Sequence, residues 1–232
     1  MMSHGAIIRG DTTQKKIAIV FTGHEFADGA SDILQTLKQE KVKASFFFTG
    51  DFYRNKSFRT AIKKLKQQGH FLGAHSDKHL LYCDWTKRDS LLVTREEFRK
   101  DLLSNYEEME KFGIRKKDAL FFLPAYEWYN DTIAAWTKEL GIQLVNFTPG
   151  TRSNADYTTP GMKNYRSSDD IYESIVTCES KKPGLNGFIL LIHIGTDPSR
   201  VDKFYHRPPQ LLKDLKAKGY QFETVNYLLK SK

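Results

Sequence analysis

Seven apolar runs of strand length recur along this chain, and six of them are followed by a segment of helical period. Few architectures other than a parallel α/β fold satisfy such an alternation. The runs cover 17–21, 42–48, 71–74, 119–123, 142–147, 188–192 and 220–225. The helical segments between and after them cover 31–40, 58–68, 95–112, 131–140, 168–179 and 209–217. Local signals punctuate the pattern. Thr94 and Glu97 are spaced as a capping box, and Asn130 or Asp131 caps the helix that follows. Gly69 supplies the left-handed residue that ends a helix, and Gly113 and Gly141 stand at equivalent stops. No Pro/Gly/Ser-rich linker, low-complexity tract or sequence repeat interrupts the series. The expectation is a single-domain, distorted (β/α) barrel of about seven parallel strands over 16–232, preceded by an N-terminal extension over 1–15.

A chain of 232 residues with 40% hydrophobic content can bury a full core. It contains no apolar run near the ~20 residues of a membrane span. The net charge of +8 is spread over helix-like segments such as Lys63-Lys64-Leu65-Lys66 and comes with no recognition motif. It therefore reads as a solvated cationic surface and not as a nucleic-acid interface. Cys83 and Cys178 lack metal-type spacing. Oligomeric state leaves no signature.

The polar residues that follow the strands carry the chemistry. The first run leads into Thr22-Gly23-His24-Glu25, and the third into His75-Ser76-Asp77-Lys78-His79. The fourth leads into Pro124-Ala125-Tyr126-Glu127-Trp128-Tyr129-Asn130, and the sixth into His193-Ile194-Gly195. In parallel α/β barrels the C-terminal strand ends form the active site, so three of these four ends bring histidine to one place. His75 and His79, four apart, are spaced to converge on a divalent ion such as zinc. The polar stretch 148–166 is too long for a simple connector.

At these residues the chain resembles the polysaccharide deacetylase (NodB-homology) family, carbohydrate esterase family four. The resemblance runs from about Lys16 to Leu229. His75-Ser76-Asp77-Lys78-His79 matches the family's His-Ser/Thr-x-x-His motif completely. The family's Arg-x-Pro-Tyr…Asn appears as Leu123-Pro124-Ala125-Tyr126 with Asn130, and Leu123 replaces the arginine. Leu191-Ile192-His193 matches Leu-x-His, and Ala44 to Gly50 and Gly69-His70 are also family-like. The departures fall in the first motif, Thr-Phe-Asp-Asp, where Thr22 and Gly23 occupy both aspartate positions.

The resemblance implies removal of acetyl groups from an N- or O-acetylated oligo- or polysaccharide. It also implies one divalent ion, zinc before cobalt or nickel, that polarises the carbonyl and activates water. His75 and His79 are the expected ligands. Glu25 is the expected third ligand, with His24 competing for that place or serving in catalysis. His193 is the expected general acid, oriented by Asp156, and the Tyr126 backbone N–H the oxyanion donor. Glu127 is a relocated base or a solvent-facing loop acid. Trp128 and Tyr157, with Tyr129, are candidate sugar-stacking rings. Arg152 is a candidate contact for a substrate carboxylate, and Leu191 a substrate neighbour. A catalytically inactive glycan-binding relative and a same-fold hydrolase of a non-sugar amide are the alternatives. The family further implies a secreted, periplasmic or envelope setting in a bacterium. Met1-Met2-Ser3-His4-Gly5 shows no signal-peptide pattern, so any signal peptide is expected outside this sequence.

Overall fold

A computed structural model describes residues 1–230. A short antiparallel hairpin, β1 (Met2–Ser3) with β2 (Ala6–Ile7), precedes the main sheet. Then follow β3 (Lys16–Gly23), α1 (Ala30–Gln39), β4 (Ser45–Phe48), α2 (Gly50–Arg54), α3 (Arg59–Gln67), β5 (Phe71–Ala74) and α4 (Arg95–Glu110). The second half holds β6 (Phe121–Phe122), α5 (Asp131–Glu139), β7 (Gln143–Leu144), α6 (Ser168–Glu179), β8 (Phe188–His193), α7 (Pro208–Ala217), β9 (Gln221–Phe222) and α8 (Val225–Leu228).

The strands β3 to β9 form one sheet of seven, in the order β7-β6-β5-β4-β3-β8, with β9 pairing the start of β3. Every pairing in it is parallel. This is the expected α/β barrel, curled and incompletely closed. β3 lies at its centre because seven successive residues from Ile17 to Gly23 are buried on both faces, as a strand covered by helices requires. Across the gap between β7 and β8, Ile7 bridges to Val145 and the Thr148 N–H donates to the Ile189 carbonyl at 2.9 Å. Residues 1–15, read from sequence as an extension, thus lie against the barrel, with Ala6 and Ile8 inside the core.

The strands β6, β7 and β9 keep only two residues each in regular pairing. The apolar runs around them extend beyond this regular pairing. The Thr94–Glu97 capping box is formed. Periodicity did not announce α2, a single turn that Thr49 caps by accepting from the Phe52 N–H.

Register is what positions the site. Thr22 pairs with His193, Gly23 with Phe48, Phe48 with Ala74, and Ala74 with Phe122. Five strands, β8, β3, β4, β5 and β6, therefore end level, and the residues just after them project from one rim.

Candidate active site

The rim opens into a cleft of about 710 Å³, lined by His24, His75, His79, Glu127 and His193 on its polar side. Helix α4 builds the histidine loop from behind. Asn105, fully buried, accepts from the His75 backbone N–H through Oδ1 (2.8 Å) and donates Nδ2–H to the Phe48 carbonyl (3.2 Å). One turn earlier, Asp101 accepts from the backbone N–H groups of Asp77 (3.1 Å) and Lys78 (3.0 Å) and from the Tyr82 hydroxyl (2.6 Å). These bonds hold Ser76 (φ 72°) and His79 (φ 55°) in the left-handed region that side chains disfavour. Replacing Asn105 by leucine strands two buried backbone groups, at a cost of about 1–3 kcal/mol for each. A urea melt should show a lower midpoint with an unchanged slope; an unchanged midpoint would remove Asn105 from this supporting role.

His75 Nδ1 lies 2.7 Å from the Leu123 carbonyl, so Nδ1 carries the proton and Nε2 is left bare. Burial pushes this imidazole down to about 3, partly opposed by that bond. His79 is pushed down to about 2, first by burial and then by its neighbours His75 and His24. Both rings are neutral at physiological pH.

His193 and Glu127 are tuned the other way. The His193 Nδ1–H donates to Asp156 Oδ1 at 2.6 Å, while the His193 backbone N–H donates to Oδ2 at 2.8 Å. Asp156 is 1% exposed, so both bonds are sheltered from water. Burial alone would lower the imidazole pKa, but the Asp156 carboxylate overrides it and the net shift is upward. Glu127 is raised to about 7, mainly by burial, with His193 opposing and Asp156 adding to the rise. Two titrating groups in one cleft, both shifted upward, one chiefly by burial and the other by a carboxylate, are an arrangement suited to acid–base work.

The backbone beneath Glu127 is constrained as well. Tyr126 (φ 59°) and Glu127 (φ 53°) are consecutive left-handed residues, which ordinarily costs of order 1–3 kcal/mol each. The turn is held by the Glu127 N–H donating to the Pro124 carbonyl (3.0 Å) and by Asn146 Nδ2–H donating to the Glu127 carbonyl (2.8 Å).

A divalent ion does not fit these side chains as they stand. Among the described residues, no group of three or more His, Cys, Asp or Glu is arranged to hold one. His75, with Nε2 bare, has the form of a ligand. His24 and His79, however, stack with centroids 4.5 Å apart and planes at 11°, so their in-plane lone pairs run side by side instead of converging. The Glu25 side chain is 68% exposed, with its carboxylate 4.0 Å from His24 Nε2. At Gly23 a Cβ would meet Ile194 at 2.8 Å and Phe48 and Phe52 at 2.9 Å, so the space for a carboxylate is filled by core side chains.

Tyr126 and Tyr157 line the cleft, as the sequence suggested. Three other expected contacts are placed elsewhere. Trp128 sits behind the rim, donating Nε1–H to the Asp84 carbonyl (3.1 Å) with the Arg88 guanidinium 3.6 Å over its ring. Arg152 is exposed on the long loop, where its backbone N–H donates to Ser174 Oγ (2.9 Å). Leu191 is fully buried inside β8, paired with Val20, because the sheet core needs its bulk there. Sequence reasoning passed over Trp85, which does line the cleft. It lies in the loop after the histidine motif, where no periodic signal marks it. It also passed over the supports Asp101, Asn105 and Asn146, whose spacing along helix or loop reveals no partner.

A family profile described as polysaccharide deacetylase matches residues 9–145. The chain is 28% identical over 219 residues to a peptidoglycan-N-acetylglucosamine deacetylase of Bacillus cereus, covering 94% of this chain and 90% of that protein. It is 24% identical over 227 residues to the peptidoglycan-N-acetylmuramic acid deacetylase PdaA of Bacillus subtilis, covering 97% and 76%. Among solved structures, PdaA, a family 4 carbohydrate esterase, superposes with a TM-score of 0.73 at 25% identity, covering 97% of this chain and 85% of that one. A family 4 pseudoenzyme from Bacillus anthracis superposes with a TM-score of 0.76 at 18% identity, covering 99% and 70%.

Proposed function

The chain belongs to the polysaccharide deacetylase family, and from that premise we propose that it hydrolyses acetyl groups on an acetylated glycan of the bacterial cell wall. The observation that carries this reading is the buried Asp156–His193 pair facing the same cleft as Glu127. The relatives' activity on peptidoglycan supplies the substrate class and an envelope setting. Among the described residues no helix is long and apolar enough to cross a membrane.

In this reading the Glu127 carboxylate takes a proton from water as the water oxygen attacks the acetyl carbonyl carbon. The Tyr126 backbone N–H receives the developing oxyanion. The His193 imidazolium, held through Nδ1 by Asp156, gives its Nε2 proton to the leaving amine or alcohol as the C–N or C–O bond breaks. Acetate and the free sugar group are the products. The imidazoles of His75, His79 and His24 line the floor where the acetyl group rests. No step is assigned to a divalent ion.

Turnover requires Glu127 ionised and His193 protonated, so the rate is expected to trace a bell. Its acid limb should rise as Glu127 loses its proton near pH 7. Its alkaline limb should fall as His193 loses its own above the usual histidine value, the two apparent constants belonging to the coupled pair. Acetate release from N-acetylated oligosaccharides across pH, with and without chelator, tests this. Activity lost to chelator and restored by zinc would overturn the metal-free step.

A second reading, glycan binding without turnover, is favoured by one observation: core side chains occupy the space beyond Gly23 where the family carries a carboxylate. Glycan binding with no acetate released at any pH would select it.

A further inference from the structure

The geometry points to Trp85 as a stacking platform for the sugar next to the one that reacts, which makes it a specificity-determining residue for chain length. This rests on the glycan reading above. Trp85 is 53% exposed at the mouth of the cleft, an unfavourable place for so large an apolar ring unless something covers it. The loop nevertheless holds it firmly. Asp84 Oδ1 accepts from the N–H (2.8 Å) and hydroxyl (2.7 Å) of Thr86 and from the Lys87 N–H (2.7 Å). The Asp84 N–H donates to the Ser90 carbonyl (2.9 Å), which closes the loop on itself.

The ring is also buttressed. Trp128 lies 5.4 Å from it at 35°, itself fixed by the Asp84 carbonyl and by Arg88. Tyr126 meets Trp85 nearly edge-on at 5.6 Å, and Tyr126 in turn packs 4.3 Å from His79. Trp85 therefore stands one ring outward from the reacting group. On the other side of the cleft Tyr157 and Met162 are 43% and 44% exposed, with Tyr157 5.4 Å from His193. A fixed aromatic surface binds at low entropic cost because nothing is left to order.

The chemistry of the occupant follows from what is missing. Among the described residues, no lysine or arginine lines this cleft, although the chain carries a net charge of +8. A nucleic acid or other phosphate-linked polymer would require neutralisation there. A neutral pyranose, whose axial C–H groups make one face apolar and whose hydroxyls stay in water at the rim, meets the site as it is.

The test is calorimetric titration of the full chain with N-acetylglucosamine and its β-linked di- and tetrasaccharides. Affinity should rise with length in the parent. In Trp85→Ala the tetrasaccharide should bind roughly tenfold or more weakly, as for an aromatic anchor, and the length dependence should flatten. Trp85→Phe should keep most of it, and thermal melts of both variants should match the parent. An unaltered length dependence in a folded Trp85→Ala would overturn the platform alone. Failure of the parent to bind any of the three sugars would overturn the glycan reading and the platform with it.

Discussion

Replacing His193 by alanine is expected to lower kcat for acetate release by about 10²–10⁴-fold, the span attributed to a positioned general acid. Thermal stability should fall modestly, because the buried Asp156 carboxylate loses its Nδ1–H partner and keeps only the bond from the His193 backbone N–H. Only one imidazole nitrogen is free. Asp156 Oδ1 accepts from Nδ1–H at 2.6 Å, so only Nε2 is available to face a leaving group. Asp156→Asn is the sharper companion. The carboxylate that lifts the His193 pKa is removed, so the imidazole loses its proton at lower pH. The alkaline limb of the rate profile should accordingly move toward acid. A loss of rate with the limb unmoved would assign Asp156 to backbone support alone, through its bond from the His193 N–H. A His193→Ala protein that still releases acetate at the parent rate would remove the acid from its post.

Much of this site was legible before any coordinate. Strand–helix alternation fixed which residues follow strands, and parallel pairing puts all such residues on one rim, so His24, His75, Glu127 and His193 meet there. The substituted first motif was visible letter by letter. Direction was not legible. Trp128 and Trp85 are both aromatic and both follow strands, yet Trp85 faces the cleft and Trp128 braces it from behind. Leu191 precedes His193 by two residues, but the sheet claims it for the core. The stacking of His24 on His79 was hidden for a related reason. Spacing establishes that two rings are near, whereas metal binding depends on whether their lone pairs converge. Supports such as Asn105 lie 30 residues from the loop they hold and follow no pattern of their own.

The same distinction between identity and space yields the second large prediction, at Gly23. Read as letters, Gly23→Asp returns a family carboxylate to the first motif and should rebuild a metal ligand. Read as packing, it should fail. The new Cβ would start 2.8 Å from Ile194 Cγ2 and 2.9 Å from Phe48 and Phe52, two rings that stack 4.1 Å apart in the core. Overpacking of this kind costs about 1–3 kcal/mol, and a carboxylate driven among those side chains adds roughly 1–3 kcal/mol more. The urea midpoint should fall accordingly, and elemental analysis after zinc loading should show no gain over the parent. Thr22 provides the contrast. It lines the cleft as Gly23 does, but its buried Oγ1 has no partner and it pairs in register with His193. Thr22→Asp should therefore be the milder substitution. A Gly23→Asp protein as stable as the parent and holding one zinc per chain would show that Ile194 and the phenylalanines yield readily, and the lost centre would then be a matter of one residue. The expected outcome is that core side chains hold the space a carboxylate would need, so that placing the residue does not create the site.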